Sequence, residues 1–241
     1  MELQPDVALV LLPGMDGTGR LFGRFLRALP PAYSPIVVGY PADKVITNDA
    51  LVEHVQRFLP VDKPFALIAE SFSGPIALRV ATRAHPDLRA LVLVSSFIRS
   101  PAGPMGSALS VIAPLLFALP LPNWVIRRWL VGQDASADLV REIGDSVRSV
   151  RPAVLAARLR QLLSENVSEE AARCRVPLLY IGGTRDRLIT RKSEAALRAL
   201  RPDLKTSFIE APHLVLQARP NEAVQRILEF LGHAAQRSVG T

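Results

Sequence analysis

Short runs of apolar residues alternate along the chain with longer stretches in which apolar positions recur every three or four residues. The short runs are mostly bounded by Pro, Gly or Ser and suit strands that are buried on both faces. The longer stretches are typical of helices with one apolar face. The predicted strands are 7–12, 36–38, 65–69, 88–95, 176–181 and 206–209. Because strands and helices alternate, we expect right-handed crossovers and an α/β fold with a mostly parallel six-stranded sheet and helices on both faces.

The alternation of strands and helices stops after residue 96 and resumes at about residue 174. In between, prolines separate short helical stretches, which we place at 107–119, 123–131, 137–150 and 153–163. The pattern predicts an α/β core made of residues 1–96 and 174–241. Residues 97–173 form a helical insertion, which we call the cap.

Composition excludes several classes of protein. Apolar residues make up 49% of the chain, as in a compact globular protein, and the net charge is +7. Only four of the 29 basic residues are lysine, and the arginines are scattered and not interleaved with aromatic residues, so we expect no nucleic-acid partner. A positive surface could still favour an acidic protein partner or an anionic substrate.

The cysteine count, the N-terminal segment and the length of the apolar stretches indicate the cellular location. Cys174 is the single cysteine, which excludes an intramolecular disulfide and fits a reducing compartment. The N-terminus lacks the basic segment of a signal peptide, and the longest largely apolar stretch, 108–119, is too short to span a bilayer. We therefore expect a soluble cytoplasmic protein with no membrane span.

A serine follows the strand 65–69 where the next helix should begin. Ser71 stands between Ala69 and Ser73, Gly74 follows, and Pro75 suits the first turn of a helix. A tight bend from strand to helix needs small neighbours because the two elements nearly touch, and it strains the serine backbone. Ser71 is therefore a candidate nucleophile.

Glycines cluster after the first strand, at Gly14, Gly17 and Gly19. They could suggest phosphate binding, but a P-loop needs Lys and Ser or Thr after its last glycine, and here Arg20 follows Gly19. The spacing does not match the dinucleotide-binding fingerprint either. Both nucleotide-binding interpretations therefore fail, and no cofactor is expected.

Two further polar side chains follow strands in the second half of the chain. Asp186 stands three residues after Gly183, beyond the strand 176–181, and His213 follows the last strand. The carboxyl ends of parallel strands meet at one edge of an open sheet, so Ser71, Asp186 and His213 should come together there. No cluster of His, Asp and Glu suggests a metal site.

These motifs, in the order Ser, Asp, His, resemble those of the α/β-hydrolases over nearly the whole chain. The resemblance implies that Ser71 attacks an acyl carbonyl, that His213 transfers protons and that Asp186 orients and stabilises the histidine. It also implies an oxyanion hole made by the backbone N–H groups of Met15 and Phe72, with Gly14 beside the substrate. Pro13 stands where the family usually has a histidine that supports this loop.

The cap is expected to roof the substrate site, and Leu116, Phe117 and Trp124 are candidate contacts. In size and cap the chain is similar to esterases of the biotin pathway, which remove a methyl ester from a pimeloyl group on a carrier protein. Those enzymes hold the acidic carrier with basic cap residues. The corresponding candidates here are Arg127, Arg128, Arg158 and Arg160.

Other functions stay open at this point. The cap arginines could simply be solvated surface charges. The same three side chains could support a general small-ester or thioester hydrolase, or an acyltransferase that excludes water. A binding protein on a catalytically inactive scaffold is a further alternative, against which the intact Ser, Asp and His set argues.

Overall fold

The sheet contains six strands, as the apolar runs predict. The computed structural model describes residues 7–83, 85–102 and 106–238, without the side chains of 106–109, 114 and 235–238. The expected outer boundaries of the core, residues 1 and 241, lie outside these ranges. The strands are β1 (Ala8–Leu12), β2 (Ile36–Val37), β3 (Phe65–Glu70), β4 (Leu88–Val94), β5 (Leu178–Gly183) and β6 (Lys205–Ile209).

Every pairing in this sheet is parallel, and the strand order is β2-β1-β3-β4-β5-β6. The prediction of a mostly parallel six-stranded sheet is confirmed. β1, β3, β4 and β5 lie inside the sheet and helices pack on both of its faces, so their continuous apolar sequences are explained by burial on both faces. The carboxyl ends of β1, β3, β5 and β6 therefore share one edge, which we call the carboxyl edge.

Helices account for most of the remaining described residues. Those of the core are α1 (Gly23–Ala28), α2 (Asn48–Gln56), α3 (Ser73–Thr82), α9 (Arg191–Leu200), α10 (Val215–Ala218) and α11 (Pro220–Ser238). Those between β4 and β5 are α4 (Gly106–Leu116), α5 (Asn123–Val125), a π-helix (Ile126–Val131), α6 (Ala137–Arg148), α7 (Pro152–Leu163) and α8 (Ser168–Arg173).

Alternate side chains of the strands enter two separate apolar layers. Leu67 and Ala69 of β3 pack with α2 and α3, whereas Ala66 and Ile68 pack with α1, α10 and α11. This alternation follows from the two-residue period of a strand. The two layers thus cover both faces of the sheet and leave the loops at its carboxyl edge free to form a site.

The cap packs onto the core through a small apolar cluster of its own. Ile126 and Val131 of the π-helix and Ile143 of α6 meet Leu21 and Leu214 of the core. Two details differ from the sequence prediction: the helix expected at 123–131 is split into α5 and the π-helix, and α8 was not predicted. None of the helices in the described residues is both long and apolar enough to cross a bilayer.

Candidate active site

Ser71 occupies a strained bend between β3 and α3. Its φ of 50° lies in the left-handed region, where a side chain costs about 1–2 kcal/mol. Its N–H donates to Val94 O at 2.8 Å, and its carbonyl accepts from the Ser96 hydroxyl at 2.7 Å. A Cβ at Gly74 would lie 1.9 Å from Ser96 Oγ, which explains why glycine follows the small residues of the bend. The strain is thus maintained by contacts on both sides of the serine.

His213 lies beyond β6 and meets Ser71 at the carboxyl edge. His213 Nε2 is 3.0 Å from Ser71 Oγ, and His213 Nδ1 is 2.9 Å from Asp186 Oδ2. His213 is 4% exposed and Ser71 is 8% exposed, so the hydrogen bond between them is largely shielded from solvent. The structure therefore brings together the three side chains that the sequence places after β3, β5 and β6.

The second carboxylate oxygen of Asp186 fixes the orientation of the first. Asp186 Oδ1 accepts the backbone N–H groups of Leu188 and Ile189, both at 2.9 Å. The turn itself is held to the chain after β6, because Arg185 N donates to Ala211 O at 2.9 Å. The carboxylate therefore presents Oδ2 to the histidine in one orientation, which favours a proton on Nδ1 and leaves Nε2 able to accept one.

The glycine-rich loop after β1 lies beside Ser71, as an oxyanion loop would. Ser73 Oγ donates a short hydrogen bond to Pro13 O, and Tyr40 OH lies 2.6 Å from Ser73 Oγ. Because Pro13 O can only accept, the tyrosine hydroxyl donates to Ser73. Gly17 N donates to Gly14 O at 3.0 Å and closes a turn around Met15. Ser73 thus braces the loop from α3 although Pro13 replaces the usual histidine.

The carboxylate of Asp16 lies under this loop. Asp16 Oδ2 accepts from Thr18 N at 3.1 Å, from Thr18 Oγ1 at 2.6 Å and from Ser146 Oγ of the cap at 2.8 Å. The residue is 8% exposed. Asp16 therefore joins the loop to α6.

Glu70, the last residue of β3, is a buried carboxyl next to the serine. Gln217 Nε2 donates to its Oε2 at 3.2 Å, whereas Oε1 has no hydrogen-bond partner among the described residues. Burial raises the pKa of Glu70 to about 7, with the Asp16 carboxylate adding to the rise and His213 opposing it. Below about pH 7 the carboxyl next to Ser71 is therefore mostly neutral.

The candidate substrate contacts of the cap do not share one environment. Phe117 is half-buried against the cluster of Val150, Val154 and Leu155. Leu116 and Trp124 are exposed to 46% and 67%. These two side chains are therefore exposed to solvent in this structure, whereas Gly14 lies in the loop beside Ser71.

The four candidate carrier-binding arginines also differ in location and exposure. Arg127 and Arg128 lie on the π-helix, and Arg160 is exposed on α7 with its Nε donating to Ser110 O. The expectation that Arg158 contacts an external carrier is wrong, because this side chain is 3% exposed and turned into the protein. Its guanidinium donates to Met15 O at 3.0 Å, Asp16 O at 2.6 Å and Pro41 O at 2.9 Å.

Several site residues were missed from the sequence. Asp16 in the glycine cluster could have been noticed, since a carboxylate in an otherwise neutral turn needs partners. Ser73 was noticed only for its small size. Nothing in the local pattern of α7 separates Arg158 from its exposed neighbour Arg160. The contacts of Arg158 join residues more than 100 positions apart in the chain.

Two known proteins are similar to parts of this chain in sequence. The polyketide synthase ThaQ of Burkholderia thailandensis is 28% identical over 249 residues, covering 92% of this chain and 12% of that protein. Phytyl ester synthase 1 of Arabidopsis thaliana is 33% identical over 122 residues, covering 46% of this chain and 17% of that protein. The chain thus spans a small part of the length of either relative.

A hydrolase from Oleispira antarctica has a similar structure, with a TM-score of 0.81 at 14% identity, over 93% of this chain and 90% of that one. At this identity the likeness shows the fold alone. The family is shown by sequence, because the profile described as the alpha/beta hydrolase family matches residues 3–226. The chain therefore belongs to the alpha/beta hydrolase family.

Proposed function

We propose that the protein is a serine carboxylic-ester hydrolase that acts through an acyl-enzyme. The observation that carries the proposal is the continuous hydrogen-bonded chain from Ser71 Oγ through His213 to Asp186, at 3.0 and 2.9 Å. These distances lie within the range over which a proton can pass between a nucleophile and a general base.

In the first half-reaction, Ser71 Oγ bonds to the ester carbonyl carbon while His213 Nε2 takes the hydroxyl proton. The negative charge moves to the carbonyl oxygen, where the N–H groups of Met15 and Phe72 stabilise it. The C–O bond to the alcohol then breaks, and His213 returns its proton to the leaving oxygen. Water then attacks the carbonyl carbon of the acyl-enzyme while His213 takes its proton. The bond to Ser71 Oγ breaks, His213 returns the proton to this oxygen, and the acid is released.

A panel of p-nitrophenyl esters of increasing acyl length tests this activity. The wild-type protein should release p-nitrophenol, and the chain length with the highest kcat/KM would report the depth of the acyl site. Ser71→Ala is the matched control, since it removes only one oxygen atom. Hydrolysis that survives in Ser71→Ala would place the reaction elsewhere.

Acyl transfer to an alcohol is the second candidate function. It is favoured by the similarity to a phytyl ester synthase, whose name denotes ester formation, and by the low exposure of Ser71 and His213. A transferase would use the same acyl-enzyme but would exclude water in the second half-reaction. Product analysis with added long-chain alcohol separates the two functions, because only a transferase would form the new ester in preference to the free acid.

The finer proposal is that the acyl group is presented by an acidic carrier protein. Four arginines line a cleft of about 390 Å³ between the cap and the turn that holds Asp186: Arg127, Arg128, Arg185 and Arg187. One carboxylate, that of Asp134, faces them there. The cleft includes Pro212, next to His213, so a bound anion would lie on the histidine side of the site.

The sequence around this cleft is also poor in acidic residues. Residues 88–133 contain no Asp or Glu. Apolar side chains are also exposed on the cap, including Leu115, Leu119 and Trp124 at 67–74%. A surface in which four arginines face one carboxylate and apolar residues lie nearby suits an acidic protein partner that offers both charge and apolar contacts.

Ionic strength tests the carrier proposal. Raising it from about 0.02 to about 0.5 M shortens the Debye length several-fold and should raise KM for an acyl-carrier substrate while leaving a p-nitrophenyl ester nearly unchanged. Reversing Arg127 and Arg128 together to Glu should have the same effect at low salt. The matched control reverses Arg57 and Arg83, which are exposed at the opposite edge of the sheet. If carrier and small ester respond alike, carrier binding is refuted and esterase activity is not.

A further inference from the structure

Four consecutive backbone carbonyls of the loop after β1 each accept a hydrogen bond. Pro13 O accepts from Ser73 Oγ and Gly14 O accepts from Gly17 N. Met15 O and Asp16 O both accept from the Arg158 guanidinium, at 3.0 and 2.6 Å. Since a peptide unit is planar, a fixed Gly14 O fixes the direction of the N–H of Met15, and a fixed Met15 O prevents the following peptide from turning.

Arg158 is the one of these donors that comes from the cap. It leaves α7, crosses to the core and also donates to Pro41 O at 2.9 Å. Its guanidinium carbon lies 5.7 Å from the centre of the Tyr40 ring, and this ring's hydroxyl donates to Ser73. The same arginine thus contacts both segments that shape the loop.

A glycine in the loop after β1 leaves space for the Arg158 guanidinium. A Cβ at Gly17 would lie 2.3 Å from Arg158 Nη1, so the guanidinium fits against the loop only because residue 17 is glycine. Burial lowers the pKa of Arg158, and the Asp16 carboxylate opposes that change. Burying a guanidinium is costly unless its donors are paired, and here three backbone carbonyl oxygens accept them while the charge of Asp16 favours the cation.

We propose that Arg158 is a positioning residue that holds the Met15 N–H in place for the developing oxyanion. The inference rests on the proposed acyl-enzyme function, and it gives the cap a part in the chemical step. Because the arginine belongs to α7, a displacement of the cap would release Met15 O and Asp16 O together. The loop that carries the Met15 N–H would then keep only its contacts with the core, those of Pro13 O and Gly14 O.

The consequence is a specific kinetic signature. Loss of one oxyanion donor costs about 10²–10³-fold in kcat, and a donor that is retained but misplaced costs less. Replacing Arg158 by Met keeps much of the apolar stem and removes the donors. We expect kcat of Arg158→Met to fall by about 10- to 100-fold, with KM changed by less than about 3-fold.

A residue that served only to attach the cap would behave differently. Arg201 is a matched control because its guanidinium is also buried and also donates to backbone carbonyls. Its acceptors, Cys174 O and Val176 O, lie before β5, at the opposite edge of the sheet from Ser71. Arg201→Met should lower the unfolding temperature but leave kcat of the folded protein within about 2-fold. Arg158→Lys retains a cation and part of the hydrogen bonding, and it should recover part of the kcat lost in Arg158→Met.

Binding of an alkyl boronic acid supplies a readout that does not depend on turnover. Boron forms a tetrahedral adduct with a serine oxygen and mimics the intermediate, so its Ki depends on the oxyanion site more than KM does. The proposal predicts that Ki rises with Arg158→Met by about the factor by which kcat falls, and that Arg201→Met leaves Ki unchanged.

The outcomes are separable. Unchanged kcat and Ki in folded Arg158→Met would overturn the proposal while leaving the esterase function intact, as would an equal loss in Arg201→Met. If Arg158→Met fails to fold, the same comparison is made with Arg158→Lys, for which wild-type kcat and Ki would also overturn it. A wild-type protein that neither hydrolyses esters nor binds the boronic acid would refute the proposed function, and the role of Arg158 with it.

Discussion

The buried carboxyl of Glu70 should make the protein less stable as pH rises. The pKa of this group is raised by burial from its ordinary value of 4.5 to about 7 in the folded protein. In the unfolded chain the carboxyl is solvated and ionises at its ordinary pKa. The difference corresponds to about 3 kcal/mol of folding free energy, since a tenfold change in proton affinity is about 1.4 kcal/mol.

The direction follows from which state binds the proton more tightly. Below about pH 4.5 Glu70 is protonated in both states and has no effect. Between about pH 4.5 and 7 the unfolded chain has released the proton and the folded protein retains it, so the free energy of unfolding falls as pH rises. Above about pH 7 both states are ionised and the loss is complete.

Glu70→Gln removes the ionisation with little change in shape. We expect the variant to be more stable than the wild type at pH 8 by up to about 3 kcal/mol, with the difference shrinking to less than about 1 kcal/mol at pH 5. Urea denaturation followed by circular dichroism at both pH values measures this. Taking the difference between variant and wild type cancels the other titrating groups.

Glu210→Gln is the control, because Glu210 is an exposed carboxyl at the same edge of the sheet. It should leave the free energy of unfolding within about 0.5 kcal/mol of the wild type at either pH. If Glu70→Gln has the same stability as the wild type at pH 8, or if its advantage is equal at pH 5 and pH 8, Glu70 does not retain its proton in the folded protein and the reasoning fails.

Two further predictions concern the geometry around Ser71. His213→Ala should lower kcat by about 10³-fold or more and Asp186→Asn somewhat less, and the double variant should be little worse than His213→Ala. Steady-state kinetics on a p-nitrophenyl ester measures these effects. Nearly full activity in Asp186→Asn would mean that another group supports the histidine. Gly74→Ala should lower stability by about 1–3 kcal/mol in thermal unfolding, because its Cβ would overlap Ser96 Oγ. Adding Ser96→Gly should restore part of that loss, and a stable Gly74→Ala single variant would contradict the packing.

The fold could be predicted because its signals are local. The apolar run of β3 ends at Glu70 and the helical pattern begins near Ser73, so the bend between them is visible without any tertiary information. The predicted strands that precede Ser71, Asp186 and His213 then place these three residues at one edge of the sheet. Helix ends were less certain, and the π-helix 126–131 could not be distinguished from an α-helix by apolar spacing.

The polar contacts between cap and core could not be predicted in the same way. Arg158 and Ser146 lie on helices whose sequences suit a surface location, and their partners are in the loop after β1. Whether a cap arginine is buried depends on the position of the whole cap relative to the core. A local pattern therefore assigned Arg158 to the outside, whereas the fold turns it toward Met15 O and Asp16 O.

Covalent labelling of Ser71 tests the central claim most directly. A fluorophosphonate bonds to a serine oxygen and loses fluoride only where the oxygen is activated and the oxyanion is stabilised. Mass spectrometry of a digest of the treated protein should find one stoichiometric adduct, on the peptide that contains Ser71, and none in Ser71→Ala or in heat-denatured protein. An adduct that persists in Ser71→Ala, or a folded wild-type protein that remains unlabelled, would contradict the account.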